Sequence, residues 1–505
     1  MDIFFALGSG LVGALAWPSI GYIFLGVVIG LVLGILPGLG GVTGLTLLMP
    51  MTFTLGIESA LAMMIALTAV TATGDTIPAI LLGIPGSSSA AATVVDGYPM
   101  AKNGEAARAL GAAYVSSCIG GLVGAFVLVL SIPILRPIVL AFGPPEIFML
   151  AMIGLATVGM LGGNDPLRGW AAGGLGVTLA MIGRDPIYGT ARYSFDSHAL
   201  WEGLPLIAVA LGLFALPELI LLSRRGASIS KVELPDNLWP GQLQGIKDSF
   251  RNWGLVLRCS ALGTWIGFLP GLGGHVADWI AYGHAQTSVK NSETFGKGDV
   301  RGVIAPESAN NSVKGGELIP TLAFGVPGSA TMAILFGALL IAGVSPGKQL
   351  LTDRLDLTMV MVWSLVISNI IGAVLCLCFT RYLAKITALP GIAVVAVTAP
   401  IIMLSSYADD GIAEHMLMLI GLGVLGYFMR QTGWPRAPLL VGFVLGGIVE
   451  TNLINSVRLF GLGFLTRPIT LVLFVLLLVS FAYGIVSQWR RRAAPGAATT
   501  QIRGL

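Results

Sequence analysis

Long runs of apolar residues, interrupted by Pro and Gly, make up most of the chain. The run over residues 20–36 leads into LPGLGG at 36–41, and the run over 253–269 leads into the same letters at 269–274. Because a helix needs about 20 apolar residues to cross a bilayer, the shorter runs predict half-spans or re-entrant arms. The pattern predicts an all-α polytopic membrane protein with about 11 to 14 crossings and additional broken segments.

A second motif follows each copy of the first. Residues 74–87 read GDTIPAILLGIPGS and residues 316–329 read GELIPTLAFGVPGS, so that Gly, an acid, Ile-Pro, Gly and Pro-Gly-Ser align without gaps. Two motifs in the same order in both halves indicate an internal duplication. A single Pro would indicate only a helix kink, but matched Gly/Pro interruptions in two halves are typical of the binding sites of secondary transporters.

The distribution of charge predicts the boundaries and the orientation of the repeats. Basic connections stay in the cytoplasm, which places the Arg- and Lys-rich linker and the C-terminus inside. The charge bias around the motifs is opposite in the two halves, which predicts inverted topology. The segment from Asp96 to Arg108, DGYPMAKNGEAAR, is interpreted as a solvated turn before a helix. The expected parts are a first membrane repeat over 1–222, a basic cytoplasmic linker over 223–252, a second membrane repeat over 253–487 and a cytoplasmic tail over 488–505.

The composition agrees with a membrane protein and limits the kinds of partner. Of 505 residues, 55% are hydrophobic and only 10% are charged, whereas soluble proteins average about 25% charged residues. The mean hydropathy is +0.87. A net charge of +3 gives no basis for nucleic-acid binding, and the four cysteines lie in apolar runs without the spacing of a zinc site.

No motif supports an enzyme. The glycines of GLGGVTG lack the spacing of a dinucleotide fingerprint, and no Gly-rich loop ends in a Walker lysine. Ser87 and Ser329 have no evident His or Lys partner for nucleophilic catalysis. We therefore expect no enzymatic activity and no cofactor beyond a coupling ion, Na⁺ or H⁺. The main alternative is a channel or facilitator for small organic anions, and an intramembrane enzyme is a weaker one.

Candidate cation-binding residues lie at the LPGLGG breaks and before the Ile-Pro pairs. Asp75 and Glu317 occupy matching positions, where an acid either binds a coupling cation or proton, or caps a helix N-terminus. Asn310 and Asn311 offer amide oxygens to sodium, with a helix cap or turn as the alternative. The predicted set, which would hold sodium if a metal is bound, is Pro37, Gly38, Gly40, Gly41, Thr43, Asp75, Pro270, Gly271, Gly273, Gly274, Asn310, Asn311 and Glu317.

Candidate substrate-binding residues lie at the two Pro-Gly-Ser tips. A hydroxyl after a Pro-Gly break caps a new helix, and the free amides of that helix start suit a carboxylate. Capping alone explains one hydroxyl at each tip, but it explains the run of serines after the first tip less well. The predicted set is Pro85, Gly86, Ser87, Ser88, Ser89, Pro327, Gly328 and Ser329.

These motifs resemble the large membrane subunit of the tripartite tricarboxylate transporters. The likeness rests on GILPGLGG, IPAILLGIPGSSSAAATVVDGYPMAKNGEAARALG, IGRDPIYGTARYSF, FGKGDVRGVIAPESANNSVKGGELIPTLAFGVPGS and GALLIAGVSPG, in this order. The resemblance implies a multi-pass protein of the bacterial inner membrane that imports di- and tricarboxylates such as citrate by cation symport. It also implies a small four-helix membrane subunit, a periplasmic solute-binding protein, and an elevator in which both broken-helix pairs slide against a scaffold in the lipid.

Overall fold

The structure is a computed structural model. It describes residues 3–36, 40–52, 54–161, 165–185, 187–224, 234–271, 273–387, 389–408 and 411–493. The predicted site residues Pro37 and Gly38 lie outside this described part. So do residues 225–233 of the predicted linker and residues 494–505 of the predicted tail.

The described residues are almost entirely helical, which confirms the predicted all-α class. The only strands among them are β1 (Gly183–Arg184) and β2 (Ala191–Arg192), an antiparallel pair. A π-helical turn, Leu211–Ala215, joins α10 to α11. The helices are α1 (Ile3–Leu15), α2 (Ser19–Ile35), α3 (Gly41–Thr52), α4 (Ile57–Gly74), α5 (Thr76–Leu82), α6 (Ala91–Lys102), α7 (Ala106–Leu140), α8 (Pro144–Leu161), α9 (Pro166–Ala180), α10 (Leu206–Ala210), α11 (Leu216–Arg224), α12 (Trp239–Arg251), α13 (Trp253–Phe268), α14 (Gly273–Ser288), α15 (Arg301–Phe324), α16 (Ala330–Ile341), α17 (Lys348–Leu351), α18 (Leu355–Ile386), α19 (Gly391–Ala408), α20 (Glu414–Gln431), α21 (Arg436–Phe460) and α22 (Pro468–Ala493).

Several of these helices are long and apolar enough to cross a membrane, so the protein is multi-pass. Within the described ranges six segments meet this test, and α1 and α2, bent by 70° at their junction, add a seventh if they form one span. This is fewer than the 11 to 14 crossings expected from the sequence, because many apolar runs form helices of 10–17 residues. The six segments are Ile57–Leu82, Ala106–Leu140, Leu206–Ser223, Leu355–Ile386, Arg436–Thr466 and Pro468–Val486.

The contacts divide the chain into two compact units. The first comprises residues 1–141 and 204–428, and the second comprises residues 142–203 and 429–505. Both copies of both motifs lie in the first unit. The predicted repeats divide the chain by sequence order, whereas these units are defined by packing. The division into units therefore does not test the predicted boundaries.

The two LPGLGG motifs end their helices in the same way. Leu36, after α2, has φ −83° and ψ 109°, and Leu269, after α13, has φ −85° and ψ 111°. In both copies the extended residue precedes the Pro, and Pro disfavours helical backbone in the residue before it. The repeated sequence therefore produces a repeated backbone geometry.

The second motifs also end their helices alike. Gly83 closes α5 with φ 68°, and Gly325 closes α15 with φ 66°. Each glycine N–H bonds the carbonyl of the proline five residues earlier, Pro78 or Pro320. A left-handed residue at a helix end favours glycine, which explains why both motifs carry Gly two residues before Pro-Gly-Ser.

Close backbone contacts join each LPGLGG helix to the helix that carries the second motif. A Cβ at Gly34 on α2 would lie 2.6 Å from the carbonyl oxygen of Thr71 on α4. At the matching position on α13, a Cβ at Gly267 would lie 2.5 Å from the carbonyl oxygen of Val313 on α15. Small residues allow membrane helices to approach at this distance. The duplication therefore extends from sequence to packing.

Candidate functional site

The first Pro-Gly-Ser tip folds back onto Asp75, between α4 and α5. A Cβ at Gly86 would lie 2.7 Å from the Asp75 Cα, so the tip backbone touches the acid. The Ser87 hydroxyl donates to Oδ2 of Asp75, while Oδ1 has no hydrogen-bond partner in the described chain. Asp75 is only 2% exposed and its side chain does not cap α5. Asp75 therefore does not cap the N-terminus of α5, which was the alternative that the sequence left open.

The second tip has the same relation to Glu317. A Cβ at Gly328 would lie 3.1 Å from the Glu317 Cα. The Glu317 carboxylate faces Lys314, with 3.6 Å between Nζ and Oε2. Thr321 links tip and helix, because its Oγ1 donates to the Glu317 carbonyl at 2.6 Å and accepts from Gly328 N at 3.3 Å. Each Pro-Gly-Ser tip therefore rests on the acid of its own motif.

Of the two Ile-Pro pairs only the first follows a helix end, at Gly74, and neither proline itself ends a helix. Glu317 and Pro320 both lie inside α15, which continues to Phe324. Pro78 lies in the first turn of α5, where a missing N–H costs nothing. The chain leaves the helix at Gly83 and Gly325 instead. Glu317 therefore cannot cap a helix that begins at its Ile-Pro pair.

The serines at both tips cap the helices that follow. The side chain of Ser87 accepts from Ser89 N at 3.2 Å, at the start of the 3-10 turn Ser88–Ala90 that precedes α6. The side chain of Ser329 accepts from Met332 N at 3.3 Å, at the start of α16. Ser88 is exposed. The structural alternative, capping, is thus present, and it leaves the other amides of each helix start available to an anion.

The LPGLGG break of each repeat lies against the tip of the other repeat. A Cβ at Gly274 would lie 2.6 Å from the Ser89 Oγ, and a Cβ at Gly41 would lie 3.6 Å from the Thr331 Cγ2. Gly41 and Gly274 are matching positions, as are Ser89 and Thr331. The structure thus brings the described parts of all four interruptions together inside one unit.

The other described glycines of these breaks lie near the tips or near Glu317. Gly271 N donates to the Gly328 carbonyl at 2.7 Å. A Cβ at Gly40 would lie 3.8 Å from the Ser87 Cβ, and one at Gly273 would lie 4.0 Å from Glu317 Oε1. Pro270 shares the second break, Thr43 is buried in α3, and Pro85 and Pro327 flank the tip glycines.

Asn310 and Asn311 lie in the middle of α15, so neither forms a cap or a turn. Nδ2 of Asn310 donates to the Ala72 carbonyl at 3.3 Å. Nδ2 of Asn311 donates to Ser117 Oγ at 3.2 Å and to Asn369 Oδ1 at 2.5 Å. Both Oδ1 atoms are buried without a partner among the described residues. The amides therefore anchor α15 by their nitrogens and leave oxygens available to a cation.

Sequence reasoning missed two buried acids. Glu307 on α15 and Asp278 on α14 are both 0% exposed, and each interacts electrostatically with the other. A signal was present in the alignment of the repeats, because the positions that match them hold Ile65 and Leu45. An acid where the sister repeat places an aliphatic residue indicates a buried charge with a function.

The interpretation of Asp96 as part of a solvated turn is wrong. Asp96 lies within α6 and is 0% exposed. Its Oδ1 accepts from the backbone N–H groups of Gly296, Gly298 and Asp299 at 2.8–2.9 Å. A carboxylate with this many donors is a structural anchor, because the donors replace its water shell.

Acids outnumber bases where the interruptions meet. Asp75, Asp278, Glu307 and Glu317 are all buried, and the basic group that acts on several of them is Lys314. In the described ranges no group of three or more His, Cys, Asp or Glu residues is arranged to hold a metal ion. Individual buried acids, amide oxygens and backbone carbonyls therefore lie together where the interruptions meet.

Comparison with known proteins identifies sequence relatives of this chain. The family model described as "Tripartite tricarboxylate transporter TctA family" matches residues 20–441. This range contains both copies of both motifs and every predicted site residue. No solved structure matches significantly.

Two curated relatives from Agrobacterium vitis are similar in sequence. One, named "Uncharacterized 52.8 kDa protein in TAR-I ttuC' 3'region", is 32% identical over 478 residues, covering 93% of each chain. Another, named "Uncharacterized protein in TAR-II ttuC' 3'region", is 31% identical over 234 residues, covering 46% of this chain and 96% of its own length.

Proposed function

The chain belongs to the tripartite tricarboxylate transporter TctA family, which makes it a membrane subunit of a tripartite transporter, and we propose that it imports di- or tricarboxylates by cation symport. The observation that carries the proposal is the crosswise contact of Gly274 with Ser89 and of Gly41 with Thr331. Matched helix interruptions around one site are how secondary transporters bind substrate and ion near the bilayer midplane.

The substrate lies between the two tips, at Ser87–Ser89 and Ser329. Ser329 starts α16 and Ser87 starts the 3-10 turn that leads into α6, so backbone N–H groups at both tips face a bound carboxylate. Pro85, Gly86, Pro327 and Gly328 set the position of these helix starts. Lys314 adds a positive charge beside the second tip.

Cations are required because the site is acidic. A substrate with several carboxylates is repelled by Asp75 and Glu317 unless cations or protons neutralise them. The unpartnered oxygens of Asn310 and Asn311, with the backbone of the two LPGLGG breaks, supply neutral ligands of the kind sodium accepts. This excess of acid supports obligatory symport over passage through an open channel.

The division into units supports an elevator. Residues 1–141 and 204–428 contain every interruption, and we assign the transport part to them. Residues 142–203 and 429–505 contain none, and we assign to them the scaffold that holds the small four-helix subunit. A periplasmic solute-binding protein delivers substrate, and the protein lies in a bacterial inner membrane with its C-terminus in the cytoplasm.

Uptake of labelled citrate by vesicles containing the complete tripartite system tests this function. Collapse of the ion gradients should abolish accumulation, and Asn310→Ala or Asn311→Ala should lower it about tenfold or more, since one lost ligand costs about 1.5–3 kcal/mol. Asn452→Ala is the control, because among the described residues the Asn452 side-chain amide donates to its own helix, at Ile448 O. Sodium and proton dependence unchanged in both site variants would reject the cation role of the amides, and accumulation without any gradient would reject symport.

A further inference from the structure

Glu307 combines complete burial with an unpartnered oxygen. Its side chain is 0% exposed, Oε1 accepts from the hydroxyl of Thr93 at 2.7 Å, and Oε2 has no hydrogen-bond partner among the described residues. An ionised carboxylate that is fully buried and has one oxygen without a protein donor is costly, because burial removes the charge from bulk solvent. A proton on Oε2 removes this cost, since the group becomes neutral and gains a donor.

The two hydroxyls next to Glu307 belong to the two arms of the first tip. Thr93 lies on α6, which leaves the tip, and Thr76 lies on α5, which leads into it. The Thr76 Oγ1 is also buried and has no partner within hydrogen-bond geometry in the described residues. Glu307 on α15 therefore faces a hydroxyl from each arm of this hairpin.

Ionisable groups on neighbouring helices interact electrostatically with Glu307. Asp75 at the end of α4 and Asp278 on α14 are both acidic, and Tyr114 on α7 also interacts with it electrostatically. On its own helix, Lys314 pairs with Glu317 at 3.6 Å. Each neighbouring acid that ionises makes a second negative charge at Glu307 less favourable.

The second tip has no such group. The positions that match Glu307 and Thr93 hold Ile65 and Leu335, both 0–1% exposed. The polar contact of the α5–α6 hairpin with α15 therefore has no polar counterpart between α16, after the second tip, and α4. A polar pair at positions where the other repeat has an apolar pair indicates a role beyond helix packing.

We propose that Glu307 is a proton-binding site at the contact between the α5–α6 hairpin and α15, and that it carries a proton at neutral pH. In the protonated form Oε1 accepts from Thr93 and the carboxylic O–H donates toward the hairpin. The assignment of this proton as a coupling ion rests on the proposed symport, whereas the protonation itself does not.

Infrared spectroscopy of the purified full-length chain in lipid tests the protonation without substrate. At neutral pH the wild type should show a C=O stretching band of a buried protonated carboxylic acid, absent from Glu307→Gln. Thr93→Val should shift the frequency of this band, because the donor to Oε1 is lost, and Thr93→Ser should restore it. Asp278→Asn should leave a band assigned to Glu307.

A band unaffected by Glu307→Gln, or no such band in the wild type, overturns the proposal. If Glu307→Gln fails to fold, the Thr93→Val shift and its recovery in Thr93→Ser decide the assignment. Proton-coupled citrate uptake in the tripartite vesicles tests the coupling role separately. Glu307→Gln should abolish accumulation driven by a pH gradient. If the protein transports no carboxylate, the infrared result still holds, so the two failures can be distinguished.

Discussion

The hydroxyl of Tyr282 on α14 donates to the carboxylate of Asp96 on α6 at 2.8 Å, across 186 residues of sequence. The other oxygen of Asp96 accepts from the backbone of residues 296–299, the segment that leads into α15. One buried carboxylate on α6 thus connects the α5–α6 hairpin to α14 and to the segment that leads into α15.

Removing this carboxylate should destabilise the protein strongly. Asp96→Ala leaves several buried donors without an acceptor, and we expect a loss of about 3 kcal/mol or more in the free energy of unfolding. Asp96→Asn keeps an acceptor oxygen for the backbone N–H groups and should cost less than half as much. Thermal unfolding of the purified variants measures both, and equal losses would contradict the assignment of Oδ1 as the main anchor.

A methyl group at Gly86 should impair transport more than one at Gly328. The added Cβ would lie 2.6 Å from the Gly34 carbonyl oxygen in the first case, whereas its nearest neighbour in the second lies at 3.1 Å. Backbone atoms cannot rotate aside, so Gly86→Ala must shift the tip, and citrate uptake should fall about tenfold or more. Gly283→Ala, with nothing within 4 Å, is the control and should stay within about twofold of wild type. Equal uptake by all three variants would contradict the close approach.

The crosswise contacts should respond unequally to substitution. A Cβ at Gly274 would lie 2.6 Å from Ser89 Oγ and 3.2 Å from Asn310 Oδ1, whereas one at Gly41 meets nothing closer than 3.4 Å. Gly274→Ala should therefore displace groups from both the tip and the amide pair, and it should raise the citrate concentration for half-maximal uptake. Gly41→Ala should have a smaller effect in the same assay. The reverse order would mean that the first break, not the second, lies closer to its tip.

Within the unit of residues 142–203 and 429–505, two ion pairs should contribute unequally to the free energy of unfolding. Arg192 binds Glu450 through two hydrogen bonds, of 2.5 and 3.0 Å, and both side chains are largely buried. Glu450→Ala should lower the free energy of unfolding by about 2 kcal/mol. Glu202→Ala breaks a pair with Arg184 whose acid is 84% exposed, and it should cost less than about 0.5 kcal/mol. Unfolding in denaturant distinguishes the two, and similar losses would refute the role of burial.

The parts of this fold that could be predicted from sequence depend on local backbone chemistry. Pro and Gly restrict or release the backbone wherever they occur, so the two LPGLGG breaks and the two tips were predicted from their letters alone. The Ile-Pro pairs show the limit of this rule, since Pro78 in a first helical turn and Pro320 within α15 are both accommodated.

The parts that could not be predicted depend on burial. Asp96 occurs in a polar stretch that looks solvated in a linear sequence, and Glu307 was not singled out there, and yet both are fully buried. Their environment is set by partners far along the chain, as in the pair of Thr93 with Glu307 over 214 residues. Asn310 and Asn311 were identified as candidates, but their anchoring to Ala72 and Asn369 depended on helix packing that no local pattern encodes.

Each half of this chain carries only part of a chamber, because each tip is lined by the break of the opposite half as well as by its own. Residues 1–222 produced alone would lack the contact of Gly274 with Ser89, and residues 253–487 would lack the contact of Gly41 with Thr331. The two pieces should therefore be inactive separately and regain uptake only when co-expressed. An ancestral polypeptide of half this length would have met the same requirement only by pairing with a second copy of itself.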